Sequence, residues 1–110
     1  MTKRKKRSDR NHLIYGITCE TTGEQYIGVT VMKKSAQWKT LYQRWQGHLY
    51  KAYVTQEQWG LPATIRKYGY EAFSLSILDV VRGKKAAFAA EAALINSSNT
   101  KLNTRKKQSA

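Results

Sequence analysis

From His12 to Cys19 the side chains Leu13, Tyr15, Ile17 and Cys19 alternate with Ile14, Gly16 and Thr18, and from Gln25 to Val31 Tyr26, Gly28 and Thr30 alternate with Ile27, Val29 and Val31. A period of two predicts two strands. The polar stretch Glu20-Thr21-Thr22-Gly23-Glu24 between them predicts an antiparallel hairpin, which places Tyr15 and Tyr26 in one element. Lys33-Lys34-Ser35 reads as a basic loop, and from about Ala36 to Tyr53 the residues Leu41, Trp45, Leu49 and Ala52 recur at helical spacing. Gly60-Leu61-Pro62 breaks the pattern and starts a short helix that runs through Ala63 to Tyr68 and stops at Gly69. Ala72 to Val80 alternates Phe73, Leu75 and Ile77 with Ser74 and Ser76 as a third strand, and alanine-rich Lys84 to Ile95 predicts a last helix. Two strands, two helices, a strand and a helix predict an α+β domain, a small antiparallel sheet covered by helices.

Composition narrows the class. At 110 residues and 41% apolar the chain has room for one domain with a small core. Its single Cys19 and two histidines exclude an internal disulfide and a cysteine-rich zinc site. The longest apolar stretch, Ala86 to Ile95, is interrupted by Glu91 and too short to span a bilayer, and no signal-type apolar run follows the basic N-terminus. The expectation is a soluble, cytoplasmic protein with no membrane partner.

Charge is concentrated at the ends. The formal net charge is +13; residues 1–10 hold six basic side chains and one acid, and residues 101–110 hold four basic and none. Runs such as Lys3-Arg4-Lys5-Lys6-Arg7 repel themselves and lack apolar residues to pack, which predicts arms at 1–11 and 105–110 around a body at 12–104. Each cation that neutralises a phosphate releases a condensed counterion, so such arms suit a nucleic acid.

Three features carry candidate chemistry. Glu91 falls near the middle of the arc formed by Ala87, Phe88, Leu94 and Ile95 and is expected to face the core. A carboxylate placed there must be protonated, paired with a basic side chain, or bound to a cation, and a single carboxylate with waters and phosphate suits Mg²⁺. Arg44 and His48, four apart on the first long helix, are neighbours able to share a ligand, one matching phosphate and the other exchanging protons near neutrality. Tyr15 and Tyr26 add two phenols if both flank the same hairpin groove.

In this order, Tyr15 within Leu13-Ile14-Tyr15, Tyr26-Ile27-Gly28, Arg44, His48, Glu91 and Asn103 within Leu102-Asn103 resemble the GIY-YIG nuclease family. The stretch Ile65-Arg66-Lys67-Tyr68-Gly69-Tyr70-Glu71-Ala72-Phe73 resembles its free-standing homing endonucleases of phages and mobile introns. The resemblance covers about residues 12–104. It implies a three-stranded antiparallel sheet flanked by helices and a divalent-metal-dependent DNA endonuclease using Mg²⁺, with Mn²⁺ as a substitute. Tyr15 and Tyr26 are then the motif tyrosines, Arg44 the phosphate-stabilising arginine, His48 its neighbour, Glu91 the metal ligand and Asn103 a support. Lys3, Arg4, Lys5, Lys6, Arg7, Lys33, Lys34, Arg66 and Lys67 are expected on DNA. Tyr15 would take a proton from the attacking water, as a phenolate or by passing its own proton to His48. Leu13 stands where the first motif has glycine, and the separate DNA-binding domain usual in homing and repair members is not expected within these 110 residues, which favours loose sequence specificity. No protein partner is expected, although dimerisation on DNA would serve double-strand cleavage. The rival readings are a non-catalytic nucleic-acid-binding protein on the same scaffold and a repair or structure-specific nuclease.

Overall fold

Two antiparallel strands, β1 (Asn11–Cys19) and β2 (Gln25–Val31), open the fold and lead into helices α1 (Gln37–Tyr53) and α2 (Gly60–Tyr68). A 3₁₀ turn at Tyr70–Ala72 then precedes β3 (Phe73–Arg82), α3 (Lys84–Asn96) and a second 3₁₀ turn at Lys101–Asn103. The structure is a computed structural model and describes residues 10–32, 36–96 and 101–103. The chain is α+β, with one antiparallel sheet of order β2-β1-β3.

Strand β1 is central, which explains why it is buried on both faces and reads as nearly unbroken apolar sequence from Leu13 to Ile17. Leu13, Tyr15, Ile17 and Cys19 form one core with Leu41 and Ala52 of α1 and Leu61 and Ile65 of α2. Ile14, Ile27 and Ala87 are buried outside that core, and α3 packs across all three strands. Leu13, at the motif's glycine position, is therefore core filling. Arg66 of α2 donates from Nη1 to the carbonyls of Ala52 (3.1 Å) and Glu57 (2.8 Å), tying α2 to the end of α1. Among the described residues no helix is long and apolar enough to cross a membrane.

Three details depart from the sequence pattern. The third strand starts at Phe73, because Ala72 belongs to the 3₁₀ turn, and runs on to Arg82, because β1 offers partners as far as Asn11 opposite Arg82. A bulge shifts the β1–β3 register: Ile14 faces Asp79 but Tyr15 faces Ile77, leaving Leu78 as the extra residue. In α3, Ala87 is buried but Phe88 is 46% exposed, so Glu91 lies beside a narrower apolar strip than its helical arc implied.

The late turn is fixed by a backbone contact. Leu102 is buried in the core, and a Cβ added to Gly60 would stand 2.5 Å from the Leu102 carbonyl oxygen and 2.9 Å from its carbon. No rotamer change relieves a clash with backbone. Gly60→Ala is expected to destabilise the fold by about 1–3 kcal/mol, seen as a lower urea midpoint. Gly47→Ala, on an exposed helical position with nothing within 4 Å, is expected to raise that midpoint by up to about 1 kcal/mol. A midpoint that Gly60→Ala leaves unchanged would mean that the late turn does not hold this contact.

Candidate active site

The hairpin register creates the site. Tyr15 pairs with Gly28, and a Cβ on Gly28 would sit 2.5 Å from the Tyr15 hydroxyl, 2.6 Å from its Cζ and 2.9 Å from Tyr26 Cε1. The phenol of Tyr15 thus lies across a strand position that has room for no side chain. Tyr15 is fully buried, and its hydroxyl shares a 3.1 Å hydrogen bond with Nε2 of buried His48 on α1. Tyr26 meets the His48 ring edge-on, with centroids 5.0 Å apart, and lies 6.2 Å from the Tyr15 ring. On its far side Tyr26 packs 5.9 Å from Trp59, whose Nε1 donates to Glu57 at 2.7 Å.

Arg44, one helical turn before His48, bears on the same phenol. Burial pushes the Tyr15 hydroxyl above its ordinary value, hydrogen bonding to Arg44, the Arg44 charge and hydrogen bonding to Tyr26 pull it down, and the charge of Glu91 raises it again. Arg44, Tyr26 and Glu91 are therefore all within electrostatic reach of one hydroxyl, although they come from α1, β2 and α3. Burial dominates, so the phenol is protonated at neutral pH. Arg44 Nε is buried with no hydrogen-bond partner among the described residues, a donor without a protein acceptor.

Glu91 is held above the usual carboxylate range by burial. A carboxylate gripped by a lysine or guanidinium would be pushed the other way, and burial among the described residues is the cause of the Glu91 shift. Among the described residues no three His, Cys, Asp or Glu side chains converge. A lone half-buried carboxylate fits a hard divalent cation that fills its other positions with water and phosphate oxygens, and does not fit a full protein cage.

The remaining predicted residues fall in several places. The side chain of Asn103 reaches the β2 edge, where its Oδ1 accepts from Ile27 N–H at 2.8 Å and its Nδ2 donates to Ile27 O at 2.8 Å. It completes the edge strand between Tyr26 and Gly28 through the Ile27 backbone, so its effect is on backbone position. Arg66 stands apart, engaged with backbone carbonyls, and exposed Lys67 lies with Nζ 5.5 Å over the Tyr68 ring. Lys3, Arg4, Lys5, Lys6, Arg7, Lys33 and Lys34 lie outside the described residues. Trp59, which backs Tyr26, was not picked out by sequence pattern: a tryptophan before a helix reads as ordinary core.

The family model for the GIY-YIG catalytic domain matches residues 11–106. No curated protein and no solved structure matches the chain.

The Glu91 shift has a consequence for stability. Because folding favours its protonated form, the contribution of Glu91 to stability is greatest below the ordinary carboxyl range and is lost as pH rises through the shifted value. In EDTA, Glu91→Gln is expected to melt higher than the wild type at pH 7, with the difference vanishing below about pH 4. A lower melting temperature for Glu91→Gln at pH 7 would instead indicate a lost ion pair.

Proposed function

We propose that this chain, which belongs to the GIY-YIG nuclease family, is a divalent-metal-dependent endonuclease that hydrolyses DNA phosphodiester bonds in the manner of a homing endonuclease of a phage or mobile element. The observation that carries the reading is the convergence on one hydroxyl: His48 is bonded to Tyr15, and Arg44, Tyr26 and Glu91 act on the same phenol. The stretch from Ile65 to Phe73 supports the homing-type role by its likeness to the free-standing members. Mg²⁺ is the cation we assign, with Mn²⁺ as substitute.

Hydrolysis needs a base for the attacking water and positive charge for the phosphate oxygens. A standing phenolate is disfavoured, since burial raises Tyr15 above an already high value of about 10. A relay meets the need: the Tyr15 oxygen accepts a proton from water while its own proton passes to Nε2 of neutral His48 across the 3.1 Å bond. The water becomes the nucleophile, the phenol is regenerated, and the proton rests on the imidazole. Arg44 presents its guanidinium to the non-bridging oxygens, and its buried Nε has no competing protein acceptor among the described residues. Glu91 would hold the cation, which when bound supplies Lewis-acid stabilisation to the leaving oxygen. Tyr26 is placed on the phosphate or nucleophile, while Asn103 fixes the β2 backbone that carries Tyr26 and Gly28. Lys3 to Arg7, Lys33, Lys34 and Lys67 add sequence-blind attraction to the DNA backbone. With one such cluster per chain, each visit cuts one strand.

Supercoiled plasmid incubated with the protein and Mg²⁺ is expected to become open circles, and EDTA is expected to prevent this. Glu91→Gln is expected to lower the nicking rate by at least about 10²-fold while still binding duplex in EDTA. Uncut plasmid with the wild type, or full nicking by Glu91→Gln, would overturn the assignment.

A further inference from the structure

Beside the catalytic cluster a groove of about 310 Å³ opens at the β2 edge, and nothing in the proposed chemistry uses most of it. Its apolar walls are Val29, Val31 and the half-exposed ring of Phe88, and its polar ones are His12, Arg44 and Lys84. Such a lining suits a ligand that is anionic at one end and flat and apolar at the other.

The polar residues are individually informative. His12 is 97% removed from solvent by burial, being 3% exposed, and its Nδ1 donates to the Arg10 carbonyl at 2.8 Å. That bond leaves Nε2 as the ring nitrogen a ligand can meet. Lys84 is the first residue of α3, where the helix dipole also favours an anion, and its Nζ sits 5.8 Å over the Phe88 ring. Arg44 belongs to both places: it lines the groove and acts on the Tyr15 hydroxyl, so the groove is continuous with the catalytic cluster.

Helical spacing links the groove to Glu91. Lys84, Phe88 and Glu91 stand at i, i+4 and i+7, one row along α3, and the row rises about 10 Å from Lys84 to Glu91. A B-form strand advances about 3.4 Å per nucleotide, so this length spans a few nucleotides. We infer that the groove is a nucleotide subsite for the DNA strand flanking the scissile bond, with Lys84 on a flanking phosphate, Phe88 and the valines against its sugar and base, and His12 Nε2 completing the polar wall. The inference rests on the nuclease reading for the identity of the strand and adds where that strand runs: from the Glu91 end of α3 toward its N-terminus.

Lys84 and Phe88 are exposed, so Lys84→Ala and Phe88→Ala should fold, which circular dichroism checks. The test is anisotropy of a fluorescein-labelled duplex oligonucleotide in EDTA across a series of NaCl concentrations, with Lys39→Ala on the exposed side of α1 as the charge control. Lys84→Ala is expected to weaken binding and reduce the slope of log K against log[NaCl] by about 1, the loss of one phosphate contact. Phe88→Ala is expected to weaken binding about 5-fold or more with the slope unchanged. An unchanged slope for Lys84→Ala, an equal slope change for Lys39→Ala, or unaltered affinity for Phe88→Ala would overturn the subsite. Plasmid nicking by the same samples separates the two claims. Nicking with no binding change removes the groove alone, whereas the expected binding changes without wild-type nicking keep the groove and remove the nuclease reading.

Discussion

The phenol of Tyr15 can lie where it does only because residue 28 has no side chain. A methyl group at Gly28 would meet the Tyr15 oxygen at 2.5 Å, so the strand pairing that puts Tyr15 opposite Gly28 also reserves the space in which the hydroxyl reaches His48. A one-residue slip of β2 would turn Tyr26 to the other face and bring Ile27 or Val29, both β-branched, opposite Tyr15. Asn103 guards that register from outside. Its amide makes two hydrogen bonds to Ile27, together contributing about 2 kcal/mol, at an edge that no further strand among the described residues covers.

Burial then decides the chemistry available to the cluster. It disfavours the ionised form of both Tyr15 and Glu91, and Arg44 works against it at Tyr15. A folded state optimised for stability alone would put a neutral residue at position 91. Acidic groups held in an unfavourable environment near a buried Arg44 Nε that has no acceptor among the described residues are the usual mark of a site that waits for a charged ligand.

Most of the architecture could be read from local pattern because each element repeats its own period: two in β1 and β2, 3.6 in α1. Pattern could not give the strand order, since alternation in Leu13–Cys19 says that one face is buried and only the packed structure shows that both are. It also missed the length of β3, which is set by its partner β1, and the exposure of Phe88, which depends on how α3 is rotated against the sheet. Tyr15, Tyr26, Arg44, His48, Glu91 and Asn103 are legible in the sequence as a motif in order, and the stretch matched by the family model, residues 11–106, spans all six. His48 reads in the sequence only as the helical neighbour of Arg44, yet it is buried, because α1 turns it onto the Tyr15 hydroxyl. Arg66 read as a surface cation, yet carbonyls from Ala52 and Glu57, distant in the pattern, hold it. Lys84 and His12 carry no local signal at all: one begins a helix and the other begins a strand, and only the fold brings them to one groove.

The account depends on Tyr15 and His48 acting as one proton-handling unit. A double-mutant cycle on the rate of plasmid nicking, with Tyr15→Phe, His48→Gln and the pair, measures this directly. Each single change is expected to slow nicking by about 10²–10⁴-fold, and the double variant is expected to be no slower than the worse single one. Losses that multiply in the double variant would contradict the account, because they would mean that the two side chains serve separate steps.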